Sequence, residues 1–327
     1  MVQTKSLIDL KPNDGPARTE RNSKRSPWVS EVTRDAIRHF AWGIGDNNPL
    51  WIDPEYGPTS ILETTIAPPS FAYAIDETTV APGFDEHQRH YEKVEWQWFH
   101  PFKLGQRVTV ESKLLGEDAN SSSGVIRQYG ETSFLSEGTG LVAKANVTTR
   151  RDQKPLAQAQ DRSEIRYNGS ELSAIEDNIL SEKCRGSSPR VWEDVSPGEM
   201  IGTVTKGPLS IMDIVAWCAG TMGSPITDCG YSSGGLQAET ATGPQITSWM
   251  VHMITNWMGD SGFLHNLTVD FLALPYLGST TTITGAITNT FRDDNGCWCE
   301  IEITCYLQSS DEIATGSAVV QLPTSTR

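Results

Sequence analysis

The sequence predicts an α+β chain in which one plan, an antiparallel sheet wrapped around a central helix, is built twice in tandem. Three observations lead there: the length of 327 residues, landmarks that recur at a nearly constant spacing, and one order of helices and strands in both halves. Domains commonly run to about 100–200 residues, so this length suits two of them. Asn48-Pro49-Leu50, Ala67-Pro68-Pro69-Ser70-Phe71 and residues 99–105 are answered by Ser224-Pro225-Ile226, Thr242-Gly243-Pro244-Gln245-Ile246 and residues 273–278. From Pro49 to Pro225, Pro69 to Pro244, Pro101 to Pro275 and Gly105 to Gly278 the spacings are 176, 175, 174 and 173 residues. Such a repeat is too long for a solenoid, so each copy is expected to be a domain. The expected boundaries are a polar arm over residues 1–27, a first copy over 28–152, a linker over 153–189 and a second copy over 190–327.

Each copy opens with a helix. Val32, Ala36, Ile37, Phe40 and Ile44 lie at helical spacing after Ser30 as candidate cap, and Ile211, Ile214, Val215 and Cys218 follow Ser210 in the same way. A helix led by proline comes next, over residues 69–75 in copy one and 244–258 in copy two. Proline suits a first turn because that turn's N–H groups have no helical partner. In copy two Ile246, Met250, Met253 and Trp257 form one apolar stripe that ends at Gly259. Strands then dominate. Val108, Val110, Ser112 and Leu114 alternate with Arg107, Thr109, Glu111 and Lys113, and similar runs cover 141–149, 280–290, 298–307 and 313–322. The two sheets are expected to join edge to edge, which covers strand edges that would otherwise stay open.

Composition excludes several classes of function. Only 20% of residues are charged and mean hydropathy is -0.36, with 10 Trp, so the chain is not of the disordered type. A balance of 26 Lys+Arg against 41 Asp+Glu, net -15, argues against nucleic acid, whose phosphates need clustered cations. A small anion gripped locally is still allowed, and Arg127, Lys144, Arg150 and Arg151 are the clustered candidates. No apolar stretch approaches the roughly 18 residues of a membrane span, and residues 1–27 lack the apolar core of a secretory signal. Six Cys make no disulfide framework, and a reducing cytoplasm is the default expectation. Cys297, Cys299 and Cys305 share strand parity with Ile301 and Ile303, so they read as small apolar residues on a buried face. The spacing of Cys297 and Cys299 does not suit zinc, and no His pair has HExxH spacing, so no metal is expected. GxGxxG after a strand and Walker A sequences are also missing, so nicotinamide chemistry and nucleotide hydrolysis lack support and no cofactor is expected.

The most specific stretch is Phe40-Ala41-Trp42-Gly43-Ile44-Gly45-Asp46-Asn47-Asn48-Pro49-Leu50-Trp51-Ile52-Asp53-Pro54. It resembles the hydratase motif of the MaoC-like, (R)-specific enoyl-CoA hydratases and acyl dehydratases, which reads aromatic, then Gly-Asp-x-Asn-Pro-Leu-His-x-Asp. Asn256-Trp257-Met258-Gly259-Asp260-Ser261-Gly262-Phe263-Leu264 also looks like members with two fused hot dogs. The resemblance covers the chain from about Trp28 and implies a double hot-dog fold, a homodimer and a CoA thioester substrate, with water added or removed across its α,β double bond. It also carries a departure. Asp46 and Asn48 match the motif, but its His position is Trp51, a substitution often found in the N-terminal copy of fused members. At the repeat spacing, copy two offers Met222, Ser224 and Thr227 at these places, with Asp228 one residue beyond.

Hydrating an unsaturated thioester needs a base for water, an acid for Cα and donors for the enolate oxygen. The resemblance implies Asp46 as base, Asn48 as its helper, and a helix N-terminus against the thioester oxygen. Two regions match that terminus: Pro69-Ser70-Phe71 in copy one, and Gly243, Gln245 and Ile246 in copy two. Trp51 is expected as a pocket wall, Asp260 either as a loop residue or as a group facing the cleft, and Arg127 as an anion contact. Asp53-Pro54 reads as a turn, and Ser232-Ser233-Gly234-Gly235 as a flexible turn or part of a lid.

The six His are His39, His87, His90, His100, His252 and His265. His87 and His90 fall in a polar stretch and read as solvated, whereas His252 lies off the apolar stripe of its helix and is the candidate replacement acid. Without the motif His, two other readings stay open. One is recruitment of the fold to another elimination, isomerisation or cyclisation on a molecule without CoA. The other is a non-catalytic acyl-binding subunit.

Overall fold

In the computed structural model of the chain, residues 22–25, 27–84, 88–120, 124–152, 165–221, 231–232, 235–236 and 240–325 are described. Residues 1–21, His87, the landmark Ser224-Pro225-Ile226, the copy-two positions Met222, Thr227 and Asp228, and Ser233-Gly234 lie outside them. The strands are β1 (Asn22–Arg25), β2 (Gln88–Trp98), β3 (Val108–Asn120), β4 (Val125–Ser136), β5 (Gly140–Asp152), β6 (Met200–Lys206), β7 (Tyr231–Ser232), β8 (Gly235–Leu236), β9 (Phe263–Phe271), β10 (Thr281–Asp293), β11 (Gly296–Leu307) and β12 (Glu312–Leu322). The helices are α1 (Arg34–Gly43), α2 (Pro49–Ile52), α3 (Tyr56–Thr59), α4 (Ala72–Ile75), α5 (Gly169–Leu180), α6 (Ile211–Gly220) and α7 (Gly243–Met258). A 3₁₀ turn, Pro69–Phe71, leads directly into α4.

Ten strands form one antiparallel sheet in the order β1-β3-β4-β5-β2-β9-β12-β11-β10-β6. The order of the first half is the mirror of the second, and the two meet where β2 pairs with β9, with Trp96 opposite Leu267 and Val94 opposite Val269. The seam therefore uses the strand edge that each copy would otherwise expose. Side chains alternate as the period-two patterns predict: on β11, Cys297, Cys299, Ile301, Ile303, Cys305 and Leu307 are buried while their neighbours face outward. Among the described residues no helix is long and apolar enough to cross a membrane.

The concave face is filled differently in the two copies. In copy two, α7 runs for 16 residues and buries every residue except Asn256, with Thr242 capping it and Pro244 in its first turn. In copy one the matching helix is only the Pro69–Phe71 turn and α4, over the residues expected. Beyond it the chain turns irregular and stays buried through Asp76, Glu77, Thr78 and Thr79. These polar groups find partners: the Arg89 guanidinium bonds Glu77 at 3.0 Å, and Thr79 donates to the Tyr91 hydroxyl at 2.8 Å. The opening helices α1 and α6 cross closely because each brings a glycine to the crossing. A Cβ on Gly43 would lie 2.8 Å from the Ala216 carbonyl oxygen, and one on Gly220 would lie 2.9 Å from that of His39.

Several expectations change. Thr33 caps α1 in place of Ser30, because the backbone at Ser30 and Glu31 is still extended and bonded to Val108 and Arg107. Residues 22–25 of the expected arm pair with β3. The segment read as linker carries α5, an exposed helix held by a capping box between Asn168 and Glu171. His90 is a strand residue of β2, mostly buried and 3.9 Å from Asp152, rather than a solvated loop residue.

Candidate active site

The motif spacing is explained by two successive turns. After α1, Gly45 takes a left-handed conformation (φ +64°) and lets the Asp46 N–H return to the Ala41 carbonyl at 2.9 Å. The Asp46 side chain then points inward and is fully buried. Its Oδ1 accepts the Asn48 N–H at 3.0 Å, while its Oδ2 has no hydrogen-bond partner. Asn48 in turn accepts the Leu50 N–H on Oδ1 at 3.0 Å and so caps α2, whose first residue is Pro49. That leaves the amide NH₂ as the uncommitted end of Asn48.

Copy two delivers the partner that the motif lacks. His252, on the buried α7, places Nε2 at 3.6 Å from Asp46 Oδ1 and 3.4 Å from Glu182 Oε2. Lys206, the last residue of β6, donates through Nζ to His252 Nδ1 and to the Gly45 carbonyl, both at 2.9 Å. A lysine ammonium has no acceptor, so Nδ1 must be the unprotonated nitrogen and Nε2 carries the hydrogen that faces the carboxylates.

Burial governs the charges. It pushes the Asp46 carboxyl up to about 6, against the Asn48 N–H, the nearby Trp51 indole and the Lys206 ammonium, which all favour the anion. Burial, followed by the Lys206 charge, holds His252 well below the usual imidazole range, so this ring is neutral near pH 7. Lys206 is lowered by burial despite the carboxylates of Glu182 and Asp46, and Glu182 is raised by burial despite Lys206.

Beside this cluster lies a cavity of about 210 Å³ between the copies. Asn48, Trp51 and Pro69 from copy one and Asp260 from the end of α7 all line it. Asp46 sits behind Asn48, and Ser70 and Phe71 are buried next to Pro69, with Ser70 Oγ unpartnered. The structure thus brings Asp46, Asn48, Trp51, Pro69, His252 and Asp260 together. It does not bring in Gly243 and Gln245, because the N-terminus of α7 is packed against Tyr91 and Phe271. Nor does it bring in Arg127, whose guanidinium is bonded twice to Glu92 on the sheet. Lys144 and Arg150 are likewise engaged, by Glu131 and Asp152, and Arg151 bonds Gln128 and the Ala81 carbonyl. Among the described residues no group of three or more His, Cys, Asp or Glu is placed to hold a metal ion.

Lys206, Glu182 and Tyr56 were not foreseen. Lys206 ends a strand and Glu182 follows a surface helix, and neither belongs to a local pattern. Their meaning comes from contacts between residues 161 apart, for Lys206 and Gly45, or 204 apart, for Tyr56 and Asp260.

Two half-sheets each wrapped on a helix, with an acidic motif of the first copy facing the second copy's helix, define a fused double hot dog. Residues 22–154 match the family model described as the FAS1-like dehydratase domain region. A UPF0336 protein of Streptomyces avermitilis is 30% identical, the match covering 35% of this chain and 85% of that protein. Among solved structures, a MaoC-like dehydratase superposes with a TM-score of 0.71 at 15% identity, over 94% of this chain and 99% of the other. A Mycobacterium tuberculosis protein with a double hot-dog fold gives 0.61 at 9% identity, over 93% and 96%. The chain belongs to the family of this UPF0336 protein, and its fold is the double hot dog.

Proposed function

We propose that the chain is a hydro-lyase that adds water to, or removes it from, the α,β double bond of a short acyl thioester of the CoA type. The observation that carries this reading is the Asp46–His252 pair, 3.6 Å apart, made by the two copies and buried behind the Asn48 wall of one cavity. In hydration, Asp46 takes a proton from water as the water oxygen bonds Cβ, and the π electrons move onto the thioester oxygen. The protonated Asp46 then returns that proton to Cα and the carbonyl re-forms. A carboxyl near pH 6 can act in both directions at neutral pH. A neutral imidazole N–H is a poor acid, so His252 serves as a positioning residue that directs Nε2–H toward the carboxylate, with Lys206 holding that tautomer. Asn48 orients the water, Trp51 walls the acyl group, and Ser70 Oγ beside Pro69 supports the thioester oxygen. Exposed Ile211, Met212 and Val215 on α6 support pairing as a homodimer.

The test is turnover of trans-2-enoyl-CoA substrates. Asp46→Asn is expected to lower kcat at least about a hundredfold. Because one carboxyl handles both protons, hydration in D₂O is expected to place deuterium and hydroxyl on the same face. Wild-type turnover by Asp46→Asn would overturn the reading.

A further inference from the structure

One wall of the cavity is not used by this chemistry. Asp260 reaches it with a side chain that is only 5% exposed. Its Oδ2 accepts the Tyr56 hydroxyl at 2.7 Å, but its Oδ1 is buried with no hydrogen-bond partner. No charged side chain of the described residues offsets it, and only the Tyr56 hydroxyl opposes the effect of burial. A buried acceptor left unpaired is costly unless a ligand or water completes it.

The fold is built to hold this group in place. The Asp260 N–H donates to the Gly186 carbonyl at 3.0 Å. Gly186 (φ +60°) and Gly259 (φ +67°) are both left-handed. A Cβ on Gly186 would sit 2.9 Å from the Tyr56 hydroxyl, and one on Gly259 would sit 2.9 Å from the Gly186 carbonyl oxygen. Copy one, the connecting segment and copy two therefore close on the carboxylate with no space for a side chain. Around it most of the lining is apolar, with Leu50, Ile61, Leu62, Phe102, Met258 and Phe263, while Asn48, His100, Thr255 and Ser261 are its other polar side chains.

We infer that Asp260 is a specificity residue: the cavity selects a short acyl chain carrying a hydrogen-bond donor, a hydroxyl or an ammonium, that pairs with Asp260 Oδ1. The cavity of about 210 Å³ leaves space beside Asp260 for an acyl chain of several carbons. A chain ending in a carboxylate meets a like charge there and is rejected. The thioester part of this inference rests on the function proposed above; the donor site does not.

The experiment compares trans-pent-2-enoyl-CoA with its 5-hydroxy and 5-amino derivatives and with trans-glutaconyl-CoA. It measures kcat/KM on the full chain, and Kd by calorimetry on Asp46→Asn. The hydroxy or amino chain is expected to lead the unsubstituted one by roughly ten- to a hundredfold in Kd, with glutaconyl-CoA last. The leading chain identifies the donor, and Asp260→Asn is expected to collapse the ranking. A wild-type protein with no preference for a donor, a ranking that survives Asp260→Asn, or no binding of any chain overturns the inference. The two claims fail separately. Full turnover by Asp46→Asn, or absence of turnover with the Kd ranking intact, overturns the hydratase reading alone.

Discussion

Asp46 keeps its raised pKa because burial outweighs its backbone donor and the nearby Lys206 charge, and two expected outcomes follow. If the anion is the working form, the rate rises with pH through about 6 and then levels. Lys206→Met removes a charge that favours the anion, so this limb should move to higher pH, and Lys206→Arg should hold it in place; an unmoved limb in Lys206→Met would refute the link. Stability runs the other way. The folded carboxyl titrates near 6 against 3.8 in its ordinary state, so folding favours the protonated form. That contribution is complete below about 3.8 and is lost as pH rises through about 6, a cost of about 3 kcal/mol above it. Asp46→Asn is therefore expected to raise Tm at pH 8, with the gain fading toward pH 4, while it lowers turnover. An equal Tm for the two proteins at pH 8 would show that Asp46 is not held as an unfavourable anion.

At the scale of elements, what was legible followed local chemistry. Pro69 and Pro244 mark the helix starts, and Gly259 marks the stop, because a missing N–H and a positive φ act within one turn. The stripe of α7 suggested one apolar face, but the helix proved buried nearly all round, so periodicity alone did not decide where His252 points. His90 was misread because a polar stretch resembles a loop until its pairing strand is known. The crossing of α1 and α6 was not legible either, since Gly43 and Gly220 acquire their meaning only from each other's helix. Gly43→Ala puts a methyl 2.8 Å from a backbone oxygen and is expected to cost about 1–3 kcal/mol by denaturant unfolding, from overpacking. Glu77→Ala removes the carboxylate bonded to the partly buried Arg89 guanidinium and is expected to cost about 1–3 kcal/mol by denaturant unfolding.

For the whole molecule, the duplication was readable because proline and glycine landmarks survive where side chains diverge. The site was readable only by half: Asp46 and Asn48 came with a motif, whereas Lys206 and Glu182 came with distance in the chain. Since β2 and β9 share a ladder and α7 abuts the motif of copy one, the two halves should unfold together, with coincident fluorescence and circular-dichroism transitions in urea. Two separated transitions would mean that the seam is weaker than its pairing suggests. The covalent fusion of the two copies that pair through β2 and β9 also removes a dependence on mass action. Where two separate hot dogs must meet to build a cleft, dilution takes the cleft apart; here Asp46 and His252 travel on one polypeptide, and their encounter has no dissociation constant to fall below.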